Sequence, residues 1–65
     1  MTAKQLIRLI EADGWLLKKQ KGSHQQYVHS IKKGKVTVPV HGKSEIPQKT
    51  VNAILKQAGL NSPLL

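Results

Sequence analysis

The sequence predicts a small α+β domain in which two helices flank three antiparallel strands, in the order α-β-β-β-α. Three observations support this prediction. Apolar residues recur at helical spacing near both ends of the chain. Between these segments, three short strand-like stretches are separated by connectors that each contain a glycine, as hairpins require. The length of 65 residues is that of one small domain.

The first helix is predicted for about residues 2–13. Thr2 is followed three residues later by Gln5, which is the pattern of a capping box. An apolar stripe at helical spacing consists of Ala3, Leu6, Ile7 and Ile10. We expect Gly14 to end the helix and Trp15 to fold back against it.

The three strands are predicted at residues 15–20, 24–31 and 35–40. The second strand has a half-buried pattern, with Tyr27, Val28 and Ile31 among polar residues. In the third strand, valines alternate with Thr37 and Pro39. Because proline cannot donate a hydrogen bond to its neighbour, we expect this strand at an edge of the sheet.

The second helix is predicted to begin near Pro47, since proline suits the first helical turn. Its apolar stripe is Val51, Ile54, Leu55 and Ala58, and Gly59 is expected to end it. Residues 1–60 then form one domain, and residues 61–65 form a loose tail. Two amphipathic helices on one face of an antiparallel sheet give the layout of the double-stranded-RNA-binding fold.

The distribution of charge favours a nucleic acid as the partner. The formal net charge is +8. Between Gly14 and Ser44 there is no carboxylate, and the seven lysines there are Lys18, Lys19, Lys21, Lys32, Lys33, Lys35 and Lys43. A basic block of this kind is typical of proteins that bind polyanions, although a lysine-rich solvated surface is the alternative interpretation.

Other classes of protein are disfavoured by composition. There is no cysteine, so neither a disulfide nor a thiolate metal site can form. No apolar run has the length of a membrane span, and the first residues lack the apolar region of a signal peptide. We therefore expect a soluble cytoplasmic protein.

The stretch Lys21-Gly22-Ser23-His24 is the candidate functional site. Gly22 allows a backbone to approach a ligand closely, and Ser23 offers a hydroxyl and an N–H to a phosphate oxygen. His24 exchanges protons near neutral pH, so it can serve as the base or the acid in metal-free RNA cleavage. The alternative is a plain hairpin turn with a surface histidine.

Further groups are needed for such a reaction. Lys19, Lys21 or Lys43 can supply the cation that stabilises a charged phosphorane. His41 is a candidate for the second proton-transfer group, although it also suits a role in holding its loop. A metal site is not expected, because His24 and His29 are predicted on opposite faces of one strand and the block has no carboxylate. No cofactor is expected either.

Several segments, taken together, resemble the HicA toxin family over about residues 2–60. In chain order they are Gly14-Trp15, Lys21-Gly22-Ser23-His24 with Tyr27, Val36-Thr37-Val38-Pro39-Val40-His41, Glu45-Ile46-Pro47, Thr50, and Ile54-Leu55-Lys56-Gln57-Ala58-Gly59-Leu60. One departure is Lys49, where many relatives have glycine before the threonine.

The resemblance implies a toxin of a type II toxin–antitoxin system. Members of the family are ribosome-independent mRNA interferases with a double-stranded-RNA-binding-like fold. Their catalytic residue is the histidine of the Gly-Ser-His motif, which is His24 here. Their partner is a HicB antitoxin, which blocks the active site. From the residues alone, a non-catalytic RNA-binding module that acts by occupancy, or a small scaffold that docks an acidic protein, is an alternative.

Overall fold

The computed structural model describes residues 1–42 and 45–60. Lys43 and the predicted tail, residues 61–65, lie outside the described residues. In chain order the elements are α1 (Ala3–Ala12), β1 (Trp15–Lys21), β2 (His24–His29), β3 (Val36–Pro39) and α2 (Gln48–Gln57). The strands form one antiparallel sheet in the order β1-β2-β3. The predicted α-β-β-β-α order is confirmed, and β3 lies at an edge of the sheet, as Pro39 indicates.

Hydrogen-bonded capping motifs define the start of α1 and the end of α2. At the start of α1 the capping box is present: Gln5 N donates to Thr2 Oγ1 at 3.3 Å, and Thr2 N donates to Gln5 Oε1 at 2.9 Å. At the end of α2, Leu60 N donates to Leu55 O at 2.8 Å and Gly59 N donates to Lys56 O at 3.1 Å. This pair of bonds is a Schellman motif, which needs the left-handed backbone that Gly59 adopts at φ +74°.

One hydrophobic core is shared by the sheet and both helices. Its largest fully buried side chains are Trp15, Tyr27, Leu6, Ile10, Val36, Val38 and Val51. Trp15 Nε1 donates to Ala58 O at 3.2 Å, so the indole also satisfies a carbonyl at the end of α2. Because α1 and α2 contribute to the same cluster, they pack on the same face of the sheet.

The second strand is shorter than the sequence predicts. It ends at His29 instead of continuing to Ile31. The cause is the ring of His29, whose Nδ1 accepts backbone hydrogen bonds from Ile31 N at 3.0 Å and Lys32 N at 3.1 Å. These bonds turn the chain out of the ladder, so the prediction that the strand continues to Ile31 is wrong, and that residue is 84% exposed.

Within the part of the chain that the structure describes, no helix is both long enough and apolar enough to cross a membrane.

Candidate functional site

The turn before His24 is a two-residue hairpin loop made of Gly22 and Ser23. Gly22 has φ +58°, whereas Ser23 has a negative φ. A positive φ at the first central position alone is the pattern of a type II′ turn, which favours glycine there. Nothing lies within 4 Å of where a Cβ of Gly22 would be, so the backbone is open to a ligand. Ser23 O accepts a hydrogen bond from Val40 N at 2.6 Å, which ties the turn to the end of β3.

His24 lies on the side of the sheet that faces away from the core. It pairs with Pro39 across the β2–β3 ladder and with Lys21 across the β1–β2 hairpin. Directly paired residues share a side of the sheet, and residues alternate sides along a strand. Tyr27 and Val38 are buried on the core side. The opposite side, called the outer face here, therefore carries Lys19, Lys21, His24, Gln26, Thr37 and Pro39.

A β-bulge places Lys19 and Lys21, two of the three lysines of β1, on the outer face. The register shifts between Leu17, which pairs with Tyr27, and Lys19, which pairs with Gln26. One extra residue in β1 reverses the alternation of the strand beyond that point. Without the bulge, Gln20 would lie beside His24 and Lys21 would lie on the core side. The sequence has no glycine in this stretch to indicate a bulge, so this placement could not be predicted.

An open groove of about 440 Å³ runs between the β3 edge of the sheet and α2. The sheet contributes three outer-face residues to it, and α2 contributes five; together they are His24, Thr37, Pro39, Lys49, Thr50, Ala53, Ile54 and Gln57. Lys49, Ala53 and Gln57 follow one another at intervals of four residues, so they form one face of α2 beside its apolar stripe. From the sequence, Lys49 is a candidate phosphate contact because it lies near the start of the second helix, whereas Ala53 and Gln57 are not indicated. The spacing of four residues was the available signal for the latter two.

His41 is exposed and lies in a smaller depression of about 160 Å³. Among its lining residues, Pro39 and Thr50 also line the groove. The structure therefore brings the two candidate proton-transfer residues, His24 and His41, into neighbouring depressions that share lining residues. Lys43, the third candidate cation, lies outside the described residues.

The third histidine, His29, belongs to the fold. Its Nδ1 accepts two backbone N–H groups and is therefore unprotonated, so Nε2 carries the proton and donates to Asp13 O at 2.6 Å. The ring also meets Trp15 edge to face, with the ring centroids 5.2 Å apart. Among residues 1–42 and 45–60, no group of three or more histidine or carboxylate side chains is arranged to hold a metal ion.

Tyr27 is a core residue. It is buried on the side of the sheet opposite His24, and its hydroxyl donates to Gln25 Oε1 at 2.8 Å. Burial raises the pKa of Tyr27 above its ordinary value. The hydroxyl therefore stays protonated near neutral pH and takes no part in the outer-face site.

Comparison with known proteins gives two findings. The profile described as "HicA toxin of bacterial toxin-antitoxin" matches residues 3–60. A search of solved structures finds a chain from a "Toxin-Antitoxin complex from Streptococcus pneumoniae" that is 34% identical, with a TM-score of 0.73, over 92% of this chain and 98% of that one. A search of curated protein sequences finds no significant match.

Proposed function

This chain belongs to the HicA toxin family of toxin–antitoxin systems, and we propose that it is a metal-independent endoribonuclease that cleaves mRNA with His24 as its acid–base group. The observation that carries the proposal is the position of His24. It is exposed on the outer face, at the edge of an open groove and opposite Lys21. A proton-transfer group in a basic, accessible groove is what cleavage of a phosphodiester requires.

The chemistry follows from the ribose 2′-hydroxyl of the substrate. His24 takes the proton of this hydroxyl, the 2′-oxygen forms a bond to phosphorus, and the bond from phosphorus to the 5′-oxygen breaks. An acid then protonates the 5′-oxygen; His41, a lysine and water are the candidates. Because RNA carries its own nucleophile, this route needs no metal-bound water.

The outer face supplies the contacts that hold the RNA backbone. Lys19 and Lys21 bring two positive charges to the side of the sheet that carries His24. The open backbone at Gly22 allows a phosphate to approach, where the N–H or hydroxyl of Ser23 can donate to it. We assign Lys43 to the same basic surface on sequence grounds alone.

The partner proposed for the toxin is a HicB-type antitoxin. The family match and the similarity to a chain from a toxin–antitoxin complex support an antitoxin partner. Cleavage of mRNA in the cytoplasm would inhibit translation and growth until the antitoxin covers the site. Co-purification of the chain with the product of an adjacent reading frame tests this part of the proposal.

The cleavage proposal is tested with purified protein and end-labelled RNA in the presence of EDTA. We expect the wild type to produce shorter RNAs, and we expect His24→Ala to lower the rate by at least about 10²-fold, the range for loss of a general acid–base group. Circular dichroism and chemical unfolding establish that the variant is folded. Because His24 is exposed, its removal should leave stability nearly unchanged.

Three outcomes would contradict the proposal. Undiminished cleavage by folded His24→Ala would show that another group carries the reaction. Salt-dependent retardation of RNA by the wild type, without shorter products, would indicate a module that acts by occupancy. Cleavage that EDTA abolishes would overturn the metal-independent mechanism.

A further inference from the structure

We infer that Lys49 is a catalytic residue, whose ammonium group neutralises the charge that develops on the scissile phosphate beside His24. The inference rests on the proposed RNA cleavage and assigns the cation of that reaction. The sequence offers Lys19, Lys21 and Lys43 for this role, all from the stretch between Gly14 and Ser44. The groove brings in a lysine from the second helix instead.

The register of the sheet places His24 and Lys49 at the same end of the groove. His24 pairs with Pro39, the last residue of β3. Pro39 and Thr50 line both the groove and the neighbouring depression, so the end of β3 lies against the first turn of α2. Lys49 belongs to that first turn. A phosphate that contacts His24 from within the groove therefore lies at the end of the groove that Lys49 also lines.

The two ends of the groove differ in their distance from His24. Gln57 lies eight residues after Lys49 on α2, which is about 12 Å along the helix axis. The Gln57 end is therefore too far from His24 to bind the same phosphate. The charged end of the groove can hold the scissile phosphate, while the side chains beyond it accommodate the neighbouring nucleotide.

Lys49 differs in its surroundings from another lysine of the chain. Lys32 forms an ion pair with Asp13 and donates to carbonyl groups at the end of α2. Within residues 1–42 and 45–60, no carboxylate forms an ion pair with Lys49, and its side chain is exposed. Its positive charge is therefore directed to the groove without competition from an acidic neighbour in that part of the chain.

Lys21 also adjoins His24, but from the other direction. In the sheet order β1-β2-β3, Lys21 lies on the hairpin side of His24, whereas the groove and Lys49 lie on the β3 side. Lys21 is thus on an open surface, where a lysine can bind a phosphate of the RNA backbone outside the groove. Lys49 forms part of the groove wall, on the side of His24 where a phosphate bound in the groove would lie.

Phosphate binding by Lys21 and charge stabilisation by Lys49 affect different kinetic constants. A group that meets the phosphate equally in the ground state and the transition state lowers KM, whereas one that acts on the developing charge raises kcat. As the 2′-oxygen bonds to phosphorus and the bond to the 5′-oxygen breaks, the phosphate oxygens gain negative charge. Lys49 is expected to act on this change, and Lys21 is expected to act on binding.

The test compares four variants in single-turnover cleavage of a short single-stranded RNA: Lys49→Gln, Lys49→Arg, Lys21→Gln and Lys56→Gln. Lys56 is the matched control, because it lies on the same helix and is exposed but does not line the groove. Binding is measured separately with the same RNA carrying 2′-deoxyribose at the cleavage site.

We expect Lys49→Gln to lower the maximal rate by about 10²-fold, as for loss of one transition-state donor, with a change in Kd of less than about 5-fold. Lys49→Arg should recover part of the rate because it keeps the charge. Lys21→Gln should mainly weaken binding, and Lys56→Gln should resemble the wild type.

The failures of the two proposals are distinguishable. If the wild type cleaves and folded Lys49→Gln reaches the same maximal rate, the inference is wrong while the proposed function stands. The inference is also wrong if Lys49→Gln and Lys56→Gln weaken binding equally with no loss of maximal rate. If the wild type does not cleave, the proposed function fails and the inference fails with it.

Discussion

The ammonium nitrogen of Lys32 lies 2.5 Å from Oδ2 of Asp13. The same nitrogen donates to Ala58 O at 3.1 Å, so one side chain joins the ends of α1 and α2 to the loop after β2. Trp15 Nε1 donates to that carbonyl as well, at 3.2 Å. By sequence Lys32 belongs to the basic block, but its charge is used within the fold. The proposed RNA-binding surface therefore contains fewer lysines than the basic block of the sequence indicates.

The first prediction concerns the pH dependence of stability. The hydrogen bond from Lys32, together with its charge, lowers the pKa of Asp13 below the ordinary value of 3.8, although partial desolvation opposes the shift. A carboxylate whose pKa is lower in the folded state stabilises the fold above the unfolded value, and this stabilisation is lost as the pH falls through the folded value. We expect Asp13→Asn to be less stable than the wild type at pH 7 and to approach it below about pH 3.8.

Urea unfolding at several pH values measures this effect. Glu11→Gln is the matched control, because Glu11 is an exposed carboxylate at the end of the same helix that forms no ion pair within residues 1–42 and 45–60. Its stability difference from the wild type should vary little with pH. A constant difference between Asp13→Asn and the wild type from pH 7 to pH 2.5 would contradict the assignment.

The second prediction separates two histidines. His29 has a side chain only 7% exposed, and its ring holds two backbone N–H groups and one carbonyl. His29→Ala should therefore lower the free energy of unfolding by about 2–4 kcal/mol, through the lost packing on Trp15 and the unsatisfied groups. His24→Ala should change it by less than about 0.5 kcal/mol, because His24 is exposed.

Cleavage should respond in the opposite way. Measured below its unfolding transition, His29→Ala is expected to cleave RNA at a rate near that of the wild type, whereas His24→Ala is expected to be inactive. His29→Gln, which keeps one donor and one acceptor, should be intermediate in stability. Loss of activity in folded His29→Ala would show that His29 takes part in the reaction.

The architecture could be predicted from sequence because local signals agree with tertiary packing. The capping box of Thr2 and Gln5, the apolar stripes and Pro39 each indicate the element that is found. The end of β2 could not be predicted, because it depends on a side chain that competes with the ladder. The ring of His29 accepts hydrogen bonds from the N–H groups of Ile31 and Lys32, and the residue types in this segment do not indicate that contact.

For the site, the sequence indicates the turn residues as a group, and it offers His41 and several lysines without fixing their distances from His24. Gly22, Ser23 and His24 are contiguous, so their association needs no knowledge of the fold. The approach of Lys49 to His24 depends on how α2 packs along β3, which is a tertiary relationship. The bulge before Lys19 is a further tertiary feature, since it follows from pairing with β2.

The third prediction concerns Gly14, which ends α1 at φ +106°. A Cβ there would lie 2.7 Å from His29 Nε2, so alanine adds a steric clash to an unfavourable backbone. Gly34 is the matched control, because it has φ +89° with nothing within 4 Å of a Cβ. We expect Gly34→Ala to cost about 1–2 kcal/mol for the backbone alone, and Gly14→Ala to cost about 1–3 kcal/mol more for the clash. Equal losses in urea unfolding would show that the ring of His29 moves aside freely.

The fourth prediction tests whether RNA binds to the outer face beside His24 or to positive charge in general. Lys19 and Lys21 pair with Gln26 and His24 near the turn, whereas Lys33 lies in the loop after β2. Along β2, His29 lies about 17 Å from the residue opposite Lys21 and about 10 Å from the residue opposite Lys19. Both spans exceed the Debye length of about 8 Å at physiological salt. Removing a remote charge should therefore weaken binding much less than removing one that contacts a phosphate.

The measurement is the Kd of a single-stranded RNA at several salt concentrations, with all variants built on His24→Ala so that the RNA stays intact. The double variant Lys19→Gln, Lys21→Gln should reduce the slope of log K against log salt by about 1.4, since each phosphate contact contributes about 0.7 for a single strand. Lys33→Gln should leave the slope nearly unchanged. The single variants Lys19→Gln and Lys21→Gln are compared with Lys33→Gln in the same way. If all three reduce the affinity and the slope equally, the RNA binds to positive charge in general, and the position of Lys19 and Lys21 beside His24 does not direct its binding.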